Sequence, residues 1–117
     1  MSNQSRRKEL REQYEQNPPE AGMYRIVNRE NGKSLLSSSP NLASVRGRLE
    51  FAKSTNTPSA LDLRLSADIR QFGLDAFSLE ILEVLEIKPE MTPAEIRDDL
   101  AALEALWREK FDPSQIY

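Results

Sequence analysis

The sequence predicts an α+β fold: a small three-stranded antiparallel sheet flanked by helices, with an added N-terminal helix. Three observations carry this. Two β-favouring runs flank Asn31-Gly32, a pair that tolerates the positive φ of a tight reversal. A third extended run, rich in apolar residues, spans Phe77 to Leu85. Between and after the runs lie segments with helical spacing and recognisable caps.

The elements follow in order. Arg6 to Gln16 reads as a short charged helix with Leu10 and Tyr14 as its apolar positions, stopped at Asn17-Pro18-Pro19. Consecutive prolines remove backbone donors and push the preceding residue out of the helical region. Met23 to Asn28 is a strand through Tyr24, Ile26 and Val27, and Lys33 to Ser37 pairs with it antiparallel. Ser39-Pro40-Asn41 opens a helix in which Leu42, Val45, Leu49 and Ala52 recur at helical spacing. Thr57-Pro58 opens another, with Leu61, Leu65, Ile69 and Phe72 as its stripe and Gly73 as its stop. Phe77 to Leu85 suits a central strand covered on both faces. Thr92-Pro93-Ala94-Glu95 is a capping box with proline at the first helical position, and its helix runs to about Lys110 with Ile96, Leu100, Leu103, Trp107 and Phe111 on one side. The organisation expected is a segment 1–20, helix and Pro-Pro linker, followed by one domain over 21–117.

Composition narrows the chemistry. The 117 residues contain no cysteine and no histidine, which excludes disulfides, thiolate metal sites and imidazole acid–base catalysis. Hydrolysis by this chain therefore rests on Tyr, Lys, Arg and carboxylates. The polar start and the lack of a long apolar run predict a soluble, cytoplasmic protein with no membrane partner and no export signal. Net charge is −3, against indiscriminate adhesion to a polyanion. The charge is uneven: residues 1–53 hold ten Lys or Arg against six Asp or Glu, and residues 54–117 hold six against thirteen. The basic half contains the predicted hairpin; two solvated helices of opposite sign would give the same asymmetry.

Gly22-Met23-Tyr24 and, a dozen residues on, Leu35-Leu36-Ser37 resemble the two tripeptides that open the GIY-YIG nuclease superfamily, the second altered from its usual tyrosine, isoleucine, glycine. Ser38-Ser39-Pro40-Asn41-Leu42 resembles the family's approach to its arginine helix, Arg70-Gln71-Phe72-Gly73 the end of its second helix, and Phe77-Ser78-Leu79-Glu80-Ile81-Leu82-Glu83 its third strand. Glu104, three residues before Trp107, resembles its metal-binding glutamate. The resemblance covers Ala21 to Tyr117. It implies phosphodiester hydrolysis in DNA with one divalent ion, Mg²⁺ or Mn²⁺, held by the glutamate, while an arginine neutralises the phosphate and tyrosine positions water. A hard cation that keeps most of its waters suits a single carboxylate plus substrate phosphate, and arginine offers a fork that matches phosphate oxygens.

Carried over residue by residue, the catalytic candidates are Tyr24 and an arginine, Arg48 or Arg46, with Glu104 as metal ligand. Lys33, Ser38 and Asn41 are candidates for contact with the substrate. The family's arginine position falls on Val45, so Arg46 and Arg48 are its neighbours. By helical phase Arg46 lies nearer the apolar stripe and Arg48 further round, unless Gly47 delays the helix start. Leu35 stands where a hydrogen-bonding tyrosine is usual, and loss of such a group typically lowers rate by about 10²–10⁴. Glu104 falls at the margin of the apolar face, suited either to a cation or to Arg108 four residues on. Two functions are thus open: a metal-dependent endonuclease with an altered site, or a binding module of the same fold recognising nucleic acid or a partner protein. With no second domain for target recognition, either form calls for a partner, a homodimer or low specificity.

Overall fold

A computed structural model describes residues 19–117. The charged helix expected over Arg6–Gln16 lies outside them. Three strands, β1 (Ala21–Asn28), β2 (Ser34–Ser39) and β3 (Phe77–Leu85), form one antiparallel sheet in the order β2-β1-β3. The helices are α1 (Leu42–Thr55), α2 (Ser66–Phe72) and α3 (Pro93–Arg108). This is the α+β architecture expected from the sequence.

The hairpin turns at Asn31-Gly32 as predicted, with Gly32 at φ 77° and the Asn28 and Lys33 backbones closing the turn. Its register sets Tyr24 opposite Ser37 and Ile26 opposite Leu35. Because strand side chains alternate, Tyr24, Ile26 and Leu35 point to one face and Met23 and Leu36 to the other. The first face packs against Leu42, Val45 and Ala52 of α1, Leu65 just before α2, Ile69 of α2, and Phe77. The second gathers Met23, Leu36, Leu82 and Leu103, Trp107 of α3. Helices therefore cover both faces, and Tyr24 and α3 belong to opposite layers.

Between Met23 and Tyr24 the β1–β3 register slips, so that Met23 faces Glu83 while Tyr24 faces Ile81 and Leu82 is bulged. Here the strands come very close. A Cβ added to Gly22 would stand 2.1 Å from the Glu83 carbonyl oxygen.

The first helix starts where the sequence places it. Asn41 caps α1 through its side chain, which accepts from the Ser44 amide at 3.2 Å, and the helix runs unbroken through Gly47. Thr92 caps α3 in the same way, accepting from the Glu95 amide at 3.1 Å behind Pro93.

Two expectations are corrected. The helix predicted from Thr57-Pro58 to Gly73 is split into short 3₁₀ turns, Pro58–Ala60 and Leu63–Leu65, followed by the seven-residue α2. Leu61 and Asp62 are extended, at ψ 172° and 137°, because the Asp62 carboxylate takes up the Arg64 amide and competes with helical pairing. The central strand is β1, not Phe77–Leu85. β3 lies at the sheet edge, where Glu80, Glu83 and Val84 are exposed and β1 is buried almost throughout. Among the described residues no helix is long and apolar enough to cross a membrane.

Candidate functional site

Tyr24 reaches the α1 side of the sheet from the centre of β1, and there it lines a small cavity of about 170 Å³. Leu35, Val45, Leu61 and Asp62 line it as well, and so does Arg48 of α1. With the helix starting at Leu42, Arg48 is one turn beyond the buried Val45 and, like it, lines the cavity. Arg46 is exposed on another part of α1 and lines no cavity with Tyr24. Of the two arginines weighed from sequence, Arg48 is the one brought to the tyrosine.

Leu35 closes the cavity floor beside Tyr24. The two are 2% and 8% exposed, so aliphatic packing occupies the place in which a second hydroxyl is expected by resemblance. Leu35 cannot move a proton. The cavity offers one phenol, one arginine and one carboxylate on an otherwise apolar surface.

That carboxylate, Asp62, was not singled out in the sequence. It receives Arg64 side-on, from Nε at 3.1 Å and Nη2 at 2.9 Å, and accepts the Arg64 amide at 2.9 Å. The fork from Arg64 holds the Asp62 carboxyl below its ordinary range. Arg64 is raised in turn, chiefly by its bond to Asp62 against some desolvation, with smaller contributions from Glu104 and Tyr24. The signal was the Asp-x-Arg spacing, which makes an Asx turn with a charged donor at its third residue; a helix expected over this stretch hid it.

Glu104 stands elsewhere. From α3 it lines a groove of about 510 Å³ with Ser38, Pro40, Ile96, Arg97 and Leu100. Its carboxylate is 3.6 Å from Nη2 of Arg108, whose Nη2 also donates to the Leu36 carbonyl at 3.1 Å. Tyr24 and Glu104 therefore share no cavity, and the side chains expected to act together come from opposite layers of the sheet. Ser38, half-buried on the α3 side, is grouped with Glu104.

The remaining candidates have structural positions. Asn41 serves as the α1 cap. Lys33 lies at the hairpin turn with its ammonium 5.9 Å from the Tyr117 ring centre, away from both cavities.

For a divalent ion, Glu104 supplies one oxygen donor that is already shared with Arg108. Among the described residues no three Asp, Glu, His or Cys side chains converge as a ligand group. The donor set does not by itself fit Mg²⁺ or Mn²⁺, which take six or more oxygens. The Tyr24–Arg48 cavity suits a different task, since a planar guanidinium beside a phenol donor can hold an oxyanion. No family model, curated protein or solved structure matches this chain.

Proposed function

We propose that the chain is a GIY-YIG-type protein that has kept the nuclease fold as a DNA-binding module, holding a backbone phosphate at the Tyr24–Arg48 cavity without efficient hydrolysis. One observation carries this reading: Tyr24 and Arg48 line the same cavity, and Leu35 forms its floor in place of a second acid–base group. Arginine binds phosphate through charge-assisted bonds that need no metal. Hydrolysis needs, in addition, a group to position or deprotonate water, and neither Leu35 nor the distant Glu104 supplies it beside Tyr24.

A second reading, metal-dependent cleavage through Glu104, is favoured by one specific feature. Arg64 is raised in part by the charges of both Tyr24 and Glu104. In that reading Glu104 would be the residue to hold Mg²⁺ or Mn²⁺, which would supply Lewis-acid chemistry, and the substrate and water would have to complete the oxygen ligands.

The test is binding and cleavage of linear, plasmid and branched DNA with and without Mg²⁺ or Mn²⁺. Salt-dependent binding that Arg48→Ala weakens, with no cleavage, supports the binding module. Metal-dependent cleavage abolished in Glu104→Ala establishes the hydrolase instead. Wild-type protein that neither binds nor cleaves DNA removes both.

A further inference from the structure

Asp62 forms part of the wall of the Tyr24–Arg48 cavity, and the guanidinium of Arg64 is forked onto the same carboxylate. The fork uses Nε and one Nη2 hydrogen. Both hydrogens of Nη1 and the second of Nη2 stay free of Asp62. An arginine gripped by a carboxylate along one edge presents its other edge in a fixed plane, with less rotamer entropy left to lose on binding. Asp62 is fixed in turn, because the same carboxylate caps the turn through the Arg64 amide at 2.9 Å.

Charge points the same way. Unpaired, Asp62 would place a negative charge against any anion in the cavity; its ion pair with Arg64 offsets that charge, and Arg48 adds a positive one to the lining. Salt bridges between neighbours two residues apart on a surface are common and contribute little stability. What separates this one is its place, since the carboxylate that orients Arg64 also lines the cavity that Tyr24 and Arg48 share.

We infer that Arg64 is a second phosphate-binding guanidinium of this site, oriented by Asp62, so that a phosphodiester is gripped from α1 by Arg48 and from the 3₁₀ turn by Arg64. This rests on the reading of the cavity as a phosphate site. Two arginines from separate elements, flanking one phenol, suit a single backbone phosphate with its oxygens shared between them. Arg64 is then a binding residue and Asp62 a positioning residue.

Two measurements on the full chain test it. In the first, inorganic phosphate is titrated while the arginine Nε–Hε resonances are followed. Arg48 and Arg64 are expected to shift together with one dissociation constant, and Arg46 to stay still. In the second, duplex DNA binding is measured against salt for wild type, Arg64→Ala, Arg64→Lys and Arg46→Ala. Arg64→Ala is expected to weaken binding about tenfold and to reduce the log–log salt slope by about one. Arg64→Lys keeps the charge but cannot fork, so it is expected to restore the slope without the affinity. Arg46→Ala removes the same charge outside the cavity and sets the background.

An Arg64 resonance unmoved by phosphate, or an Arg64→Ala isotherm matching that of Arg46→Ala, overturns the inference. If Arg48→Ala alone weakens DNA binding, Arg64 is no ligand while the proposed function stands. If phosphate moves both arginines but DNA does not bind, the two-arginine site stands and the DNA reading falls.

Discussion

The hydroxyl of Tyr117 donates to Asp68 Oδ2 at 2.5 Å, tying the last residue of the sequence to the first turn of α2. The same oxygen accepts from Asn31 at 3.0 Å and from the buried Asn28 at 3.4 Å, and Asn28 also donates to the Tyr117 oxygen at 3.2 Å. One carboxylate thus organises the hairpin, α2 and the C-terminal segment. Asp68→Ala is expected to destabilise the fold by about 1–3 kcal/mol, since it removes the acceptor shared by the Tyr117 hydroxyl, Asn31 and the buried Asn28, whose amide keeps only the Tyr117 oxygen. Urea denaturation followed through Trp107, the sole tryptophan, measures it as a lower midpoint at unchanged slope.

The network also sets a pH dependence with two signs. Asp68 is held below its ordinary value, first by the Tyr117 hydroxyl, so its contribution is complete above about pH 4 and is lost as pH falls through the folded value. Tyr117 is raised, first by burial and then by Asp68, so its contribution is complete below about pH 10 and is lost as pH rises through its folded value. Thermal melts across pH are expected to show both declines. Tyr117→Phe should flatten the alkaline one, and an unchanged alkaline decline in that variant would assign it to other groups.

Gly22→Ala is expected to destabilise by about 1–3 kcal/mol, through overpacking rather than lost chemistry. The added methyl collides with the Glu83 backbone, which has no flexible end to swing aside. Met23→Leu, which roughly conserves volume on the neighbouring buried position, should stay within about 1.5 kcal/mol. Comparable midpoints for the two variants would contradict the close approach beside the bulge.

Glu104→Ala is expected to change stability by no more than about 0.5 kcal/mol. Its partner Arg108 is one helical turn away and partly exposed, a class of ion pair that contributes little. Circular-dichroism melts should overlay those of the wild type. Any effect of the variant on DNA is then chemistry at position 104 and not loss of fold.

Leu35→Tyr, which restores the aromatic expected by resemblance, should lower stability by about 1–3 kcal/mol and confer no cleavage. Leu35 is packed at 2% exposure, so the larger ring overpacks its neighbours wherever it does not enter the cavity that Leu35 lines. Nicking of supercoiled plasmid by this variant, absent in wild type, would show that the missing hydroxyl alone had silenced the site.

The strands and the two longer helices were legible because each had a local marker: Asn31-Gly32 for the hairpin, Asn41 and Thr92 for the caps, the β-favouring Tyr24, Ile26 and Val27 for the first strand. The stretch after Thr57 was not, since Leu61, Leu65 and Ile69 keep helical spacing while Asp62 breaks the backbone between them. The strand order was misread for a related reason. An apolar run says how much of a strand is covered but not which neighbours pair with it, and Phe77–Leu85 gains its cover from helices at an edge. At the site, helical phase set Arg46 nearer the apolar stripe than Arg48, yet it is Arg48 that lines the cavity with Tyr24. The separation of Glu104 from Tyr24 depends on which sheet face each helix covers, which no local pattern encodes.

Two carbonyls along the outer edge of β2 are already engaged. Ser34 O accepts the Tyr117 amide at 3.0 Å beside a parallel bridge to Ile116, and Leu36 O accepts Arg108. A second molecule seeking to extend the sheet by strand addition would find that border blunted. Self-association through β2 therefore requires the C-terminal segment to peel away first, which makes the Asp68–Tyr117 bond a safeguard against uncontrolled polymerisation as well as a staple of the monomer.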